Sequence, residues 1–309
     1  MEKSELSILI KNLALDLGFD DCGFASLEPF EEESKFLSRW ILEGNNANMS
    51  YLSNYQDVRH NLQFLMPDSK SAIMVILNYY PSSLQNEDCK YSISKYAYGV
   101  DYHTIFKEKL KQLILHLKEK VSEIQCRPFT DTAPVFEKAL AQRAGLGWIG
   151  KNSCLIHPHF GSFVFIGGVL IDQELEYGFP FKNNCGNCNQ CLKSCPNNAL
   201  SGKGSMDARK CISYLTIEHK GDFLLQEKGL TLNNCVFGCD RCQDVCPWNE
   251  KLAKPRKDDL FNINSFIQKG TDNQWNNLTE QDFRIQFSNS PFKRTGYQGI
   301  KRNIKHSAL

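Results

Sequence analysis

Seven of the thirteen cysteines fall in two short runs, Cys185-x2-Cys188-x2-Cys191-x3-Cys195-Pro196 and Cys239-x2-Cys242-x3-Cys246-Pro247, with Cys211 between them. This spacing ligates iron–sulfur clusters, and the cysteine before each proline crosses over to the other cluster. Cys185, Cys188 and Cys191 therefore take Cys246 as their fourth ligand, while Cys195 joins Cys239 and Cys242. The second set is one thiolate short, because Val236 stands where a Cys-x2-Cys step into Cys239 would begin. Cys211 and Cys235 are the candidates. Cys235 lies one residue too far from Cys239, whereas Cys211 opens the helix-like stretch Ile212-Ser213-Tyr214-Leu215. Spacing favours Cys211, so two [4Fe-4S] clusters are expected.

Two other uses of cysteine fit less well. Structural zinc takes separated Cys-x2-Cys knuckles rather than a packed run ending in Cys-Pro. Disulfides need an oxidising compartment, and the start Met1-Glu2-Lys3-Ser4-Glu5-Leu6 is charged and lacks an apolar signal core, so a cytoplasmic location with reduced thiols is expected. Cys22, Cys89, Cys126 and Cys154 have no partner spacing and read as small buried residues. A chain of 309 residues, 41% hydrophobic and 23% charged, has room for a sizeable core. No stretch approaches the roughly 18 apolar residues of a membrane span. The net charge of +1 excludes no partner. Its distribution is more telling: after Asp282 there is no acid, yet Arg284, Lys293, Arg294, Lys301, Arg302 and Lys305 follow. Such a tail either lies on phosphates or is simply solvated.

The remaining pattern mixes helices and strands. Leu6, Leu9, Leu13 and Leu17 predict a helix over 4–17 stopped at Gly18. Strands are predicted over 19–24, 72–78, 126–130 and 162–171, and a long helix over 105–121 from its Leu110, Leu113, Leu117, Val121 stripe. Pro134 should sit in the first turn of a helix running to about 144, and a last short helix is expected near 280–287. The fold class is α+β or α/β, with three segments: an α/β catalytic domain over 1–178, a ferredoxin-like module over 179–250, and a basic extension over 251–309 packing on the core.

Several motifs in combination resemble the epoxyqueuosine reductases. They are Gly99-Val100-Asp101-Tyr102-His103, Asp131-Thr132-Ala133-Pro134-Val135-Phe136-Glu137-Lys138-Ala139-Leu140-Ala141, Ala144-Gly145-Leu146-Gly147-Trp148-Ile149-Gly150-Lys151-Asn152, Gly161-Ser162-Phe163, the two cysteine runs, and Ser290-Pro291-Phe292-Lys293-Arg294. The resemblance spans nearly the whole chain, although some members continue into a C-terminal helical-repeat domain of which this sequence shows no sign. It implies an oxidoreductase that uses cobalamin and two [4Fe-4S] clusters to reduce epoxyqueuosine to queuosine at the anticodon wobble position of tRNA. A ferredoxin or flavodoxin is the implied electron donor, and a monomer the implied state. A cobalamin-dependent reductive dehalogenase is the competing reading, but those enzymes typically carry a twin-arginine export signal that is not visible here. A bare electron carrier would not need the upstream domain.

The implied reaction is a two-electron deoxygenation, while iron–sulfur clusters deliver electrons singly. A cobalt centre cycling between Co(II) and Co(I) would reconcile the two, leaving the protein to orient it and supply protons. Asp131 is the implied proton donor, expected at the crevice of an open α/β sheet and expected to be held protonated by burial. Taken without the resemblance, Asp131 could equally cap a helix. Asp101-Tyr102-His103 lacks the glycine of the Asp-x-His-x-x-Gly cobalt-ligating motif, Phe106 standing in its place, so His103 is expected in the pocket or at a helix start. The resemblance further assigns cobalamin contacts to Arg59, Asp131, Asn152, Leu155, Ile166, Ser213, Cys239 and Asp240.

Overall fold

The computed structural model describes residues 1–223 and 229–307. Its strands, in chain order, are β1 (Asp21–Ser26), β2 (Ser71–Asn78), β3 (Ser92–Ile93), β4 (Cys126–Phe129), β5 (Trp148–Ile149), β6 (Leu155–Ile156), β7 (Val164–Ile171) and β8 (Cys235–Phe237). Four of them form the main sheet in the order β1-β2-β7-β4. Every pairing in it is antiparallel, with Phe24 opposite Ile73, Ile73 opposite Val169 and Pro128 also opposite Val169. The class is therefore α+β. Asp131 owes its place to the end of an edge strand, not to the crevice of a parallel sheet.

β2 is buried along its whole length because both faces of the sheet are covered. Ile73, Val75 and Leu77 point into one core with Ile10, Leu110, Leu113 and Leu117. Ala72, Met74 and Ile76 point into the other, with Phe30, Leu62, Leu140 and Ala141. The period-two alternation of strand side chains serves both, so the run reads as continuously apolar. Gly167 in β7 is required by close approach: a Cβ there would come within 2.6 Å of two ring carbons of Phe106.

The helices Lys3–Asp16 and Tyr102–Lys120 lie where the leucine stripes predict. Two expectations need correction. No helix starts at Pro134: the Val135 amide turns back to the Ala133 carbonyl at 2.8 Å and Phe136 takes a non-helical ψ of 68°, so the helix spans Glu137–Arg143. The helix Glu280–Gln286 is followed by another, Gly296–His306, whose Ile300, Asn303 and Ile304 are buried on one side.

A third core joins distant parts of the sequence. Tyr91 and Ile93 pack with Val236 and Phe237, and with Trp275, Phe287, Phe292, Ile300 and Ile304 from the C-terminal segment. β3 and β8 pair in parallel inside this core. The C-terminal helix is thus a structural wall rather than a loose end. Among the described residues no helix is long and apolar enough to cross a membrane.

Candidate active site and cluster sites

The cysteines gather into two groups. Cys185, Cys188, Cys191 and Cys246 line one cavity of about 90 Å³, together with Trp248, Asn152 and Lys151. The Lys151 ammonium donates to the carbonyls of Gly186 (2.7 Å) and Cys188 (2.8 Å), fixing the loop that carries the first two thiols. In the second group, Cys211 lies in the field of Cys239 and Cys195, and Cys242 in that of Cys154, Cys239 and Cys211. Cys235 is also close, its thiol bonded to that of Cys239. Cys211 is nevertheless the candidate whose surroundings include thiols of both runs. Among the described residues no three His, Cys, Asp or Glu side chains converge closely enough to grip a single metal ion. Thiols spread around a cavity suit a polynuclear cluster better than a lone zinc. Burial pushes the Cys211 thiol up to about 11, so bound iron is what would hold it as thiolate.

The second cavity, of about 1300 Å³, is larger than the usual small-molecule pocket of roughly 300–1,000 Å³. Tyr79, Tyr96, Tyr102 and Phe165 form an aromatic face, with Tyr102 stacked on Phe165 at 4.2 Å between ring centres. Met206, Ser213, Tyr214 and Ile217, from the stretch around Cys211, form another part of the lining. The volume and the mixed aromatic and polar lining fit a corrin-sized group. Of the residues assigned to cobalamin, Arg59, Asp131 and Ser213 line this cavity. Asn152 instead lines the cysteine cavity, its amide 3.4 Å from the carbonyl of Cys242. Leu155 is buried in the sheet core, and Ile166 is packed at its margin with its carbonyl accepting the Thr130 hydroxyl. Asp240, beside Cys239, is buried under Ser94 and Lys95, accepting from the Ser94 hydroxyl and the Lys95 amide at 2.7 Å each.

At the polar end of the cavity His103 bridges two carboxylates. Nδ1 meets Asp101 Oδ1 at 2.7 Å and Nε2 meets Asp131 Oδ2 at 3.2 Å. Asp101 also caps the helix Tyr102–Lys120 by accepting the His103 amide, so one residue starts the helix and orients the imidazole. The bond from His103 holds the Asp131 carboxyl below its ordinary value, and the same bond raises His103. Asp131 is also open to the cavity, 62% of its side chain being exposed. The expectation of a protonated Asp131 is therefore corrected: the hydrogen bond from His103 outweighs desolvation and favours the carboxylate.

Glu137 is the raised acid of the site, and the sequence reading passed over it. Its Oε1 accepts the Asp131 amide at 2.6 Å, steadying the left-handed residue. Burial, and then the charge of Asp131, push its carboxyl up to about 8. A glutamate six residues after the aspartate, just past Pro134, was the only available signal. Also on the lining, and near enough for its charge to act on Asp131, Arg294 pairs with both carboxylate oxygens of Glu218, at 2.9 and 2.8 Å, and lies over the Tyr51 ring. Lys293 lines the cavity with it. Lys301 and Arg302 do not join them. Lys301 donates to the Asn276 carbonyl, and Arg302 to those of His219, Gly221 and Leu215. The basic tail thus divides into a cavity-facing pair and a structural pair.

A family model described as "Epoxyqueuosine reductase QueG, DUF1730" matches residues 59–132, and one for a 4Fe-4S double cluster binding domain matches residues 184–249. The epoxyqueuosine reductase of Cellulophaga algicola is 43% identical over 302 residues, covering 98% of each chain. This chain belongs to the epoxyqueuosine reductase family. The Vibrio cholerae epoxyqueuosine reductase is 35% identical, over 98% of this chain and 83% of its own. Among solved epoxyqueuosine reductases, one holding an epoxyqueuosine-modified tRNA-Tyr stem loop superposes with a TM-score of 0.90 at 26% identity, over 98% of this chain and 80% of that one. The Bacillus subtilis epoxyqueuosine reductase, captured with its catalytic aspartate loop swung out of the active site, gives 0.86 at 26% identity, over 98% of this chain and 81% of its own. A catabolic reductive dehalogenase shares the fold over 81% of this chain and 33% of its own, at 17% identity and a TM-score of 0.52.

Proposed function

We propose that this chain reduces the epoxide of epoxyqueuosine in tRNA to the cyclopentene of queuosine, consuming two electrons and two protons and releasing water. The observation that carries the reading is the large cavity, with a proton-handling cluster at one end and the Cys211 segment along another part of its lining. Two [4Fe-4S] clusters, held by Cys185, Cys188, Cys191 and Cys246 and by Cys195, Cys211, Cys239 and Cys242, would pass electrons inward. A cobalamin in the large cavity would supply the two-electron chemistry at the epoxide carbon. Arg59 and Ser213 would hold its edge. The solved relative with a modified stem loop supports tRNA as substrate, and Lys293 and Arg294 at the cavity offer phosphate contacts.

Asp131 and His103 act together on protons. With its carboxyl favoured as the ion, Asp131 would draw on the His103 imidazole, whose protonated form the pairing favours, to pass a proton to the leaving oxygen. A swinging aspartate loop, as in the Bacillus subtilis relative, accords with the exposed, left-handed Asp131. Replacement Asp131→Asn tests the reading. It should leave iron content and the visible spectrum of bound cobalamin unchanged while slowing conversion of epoxyqueuosine about a hundredfold. Normal turnover with cofactors intact would move the donor elsewhere. Turnover of an organohalide in place of undermodified tRNA would refute the substrate.

A further inference from the structure

We propose that the surface around the Cys185–Cys246 cavity is the docking face for a small acidic one-electron carrier protein. The proposal rests on the reading above, in which electrons enter through the clusters, and adds where they enter and what charge their carrier bears. Ser213 and Tyr214, just past Cys211, line the large cavity, so the Cys211 group is the inner one. The Cys185 group lines a separate cavity, and its Cys185, Cys188 and Cys191 are all partly solvent-accessible. Because its cavity shares no lining residue with the large one while the other group's Cys211 segment lines the large cavity, a donor arriving from outside meets the Cys185 group first.

The surrounding surface has two properties that a solvated face lacks. It is apolar: Phe179 is 89% exposed, and Tyr177 and Phe181 are 38% exposed each. The strip is continuous with the cavity wall, since Phe181 lies 6.5 Å from Trp148, and Trp148 lies 4.9 Å from Trp248, which lines the cavity. It is also basic. From Tyr177 to Met206 the chain contains no Asp or Glu, while Lys182, Lys193 and Lys203 are all exposed. Glu250, beside Trp248 on the helix Pro247–Leu252, is followed at once by Lys251. An apolar centre within a predominantly basic rim suits a transient encounter surface, where charge steers approach and sets partner sign. Redox encounters of this kind stay small and weak. In each one the reduced carrier loses one electron and the outer cluster gains it, so two encounters serve one epoxide.

The test uses the holoprotein with reduced flavodoxin as the probe, following bleaching of cluster absorbance by stopped flow. The double replacement Lys182→Glu/Lys193→Glu should lower the second-order rate about tenfold or more and flatten its salt dependence. A milder fall is expected for Lys182→Gln/Lys193→Gln. Binding of oxidised flavodoxin, titrated directly, should weaken in parallel. Reduction by photoreduced deazaflavin, which needs no protein docking, should be unchanged. Equal loss on reversing Lys118 and Lys120, on the distant helix, would show that only net charge matters and overturn the proposal, as would unchanged rates in both Lys182/Lys193 variants. If flavodoxin reduces the clusters normally but epoxyqueuosine is not converted, the functional reading fails and the docking face stands.

Discussion

In the proposed reaction two parts of the large cavity's lining would do different work, and they are built differently. The polar end holds Asp101, His103 and the left-handed Asp131, with Glu137 behind them accepting the Asp131 amide. The part formed by Met206, Ser213, Tyr214 and Ile217 is mostly uncharged, with Tyr214 and Ile217 buried and the Glu218–Arg294 pair at its border. Moving a proton requires titratable groups in bonding range and a segment that can approach the oxygen. Moving an electron requires only a close, well-packed neighbour. Rigidity on one side and adjustable charge on the other follow from what each part must carry.

Damage on the electron side should be the most severe. Cys211→Ala is expected to abolish turnover and to lower iron from about eight per chain to about half. Cys235→Ala should keep the full complement, and the reverse pattern in iron analysis would reassign the ligand. On the proton side, Asp131→Asn is expected to cost about a hundredfold while sparing both cofactors. The same replacement should release His103. Its titration, followed by NMR, should lie above 6.5 in the parent protein and fall back toward 6.5 in the variant. The sign follows from the pairing. His103, raised in the fold, stabilises it below pH 6.5 and loses that contribution as pH rises through the raised value; Asp131, lowered, contributes above pH 3.8 and loses it as pH falls through the lowered one.

Glu137 sharpens the contrast further. Its carboxyl titrates near 8 in the fold against an ordinary 4.5, so across that interval the native state holds a proton that the unfolded chain has lost. Stability should therefore decline as pH rises from 4.5 toward 8. Glu137→Gln keeps an acceptor for the Asp131 amide and removes the titration, so its apparent Tm should exceed the parent's at pH 8.5 and match it at pH 5. An equal Tm difference at both values would mean that Glu137 does not titrate in this range. The smallest effect concerns the tail. Lys293→Ala/Arg294→Ala should flatten the salt dependence of tRNA binding by roughly 0.7–0.9 in log–log slope per lost phosphate contact. Arg302→Ala should leave that slope alone and lower Tm, since its guanidinium holds three backbone carbonyls.

A grouping of the cysteines was legible because cluster ligation, where it occurs, fixes spacing along the chain, and Cys246 lines one cavity with Cys185, Cys188 and Cys191. The Leu110, Leu113, Leu117 stripe was legible for a similarly local reason. Pairing of β2 with β1 and β7 was not, since a run buried on both faces looks alike in parallel and antiparallel sheets. The state of Asp131 was missed because it depends on His103, brought 3.2 Å away from a different element. Helix Gly296–His306 hid behind Gly296 and Gly299, and the two uses of the basic tail were invisible until its carbonyl partners were in place.

The two-residue strand β3 has a consequence for assembly. It ties the segment bearing Tyr96, part of the aromatic face, to β8, while Ser94 and Lys95 grip Asp240 next to Cys239. Under the proposed function, the platform for cobalamin would thereby be moored to the loop that closes around iron. Loading should accordingly be ordered: protein stripped of iron is expected to take up cobalamin poorly, and iron reconstitution alone should restore the uptake.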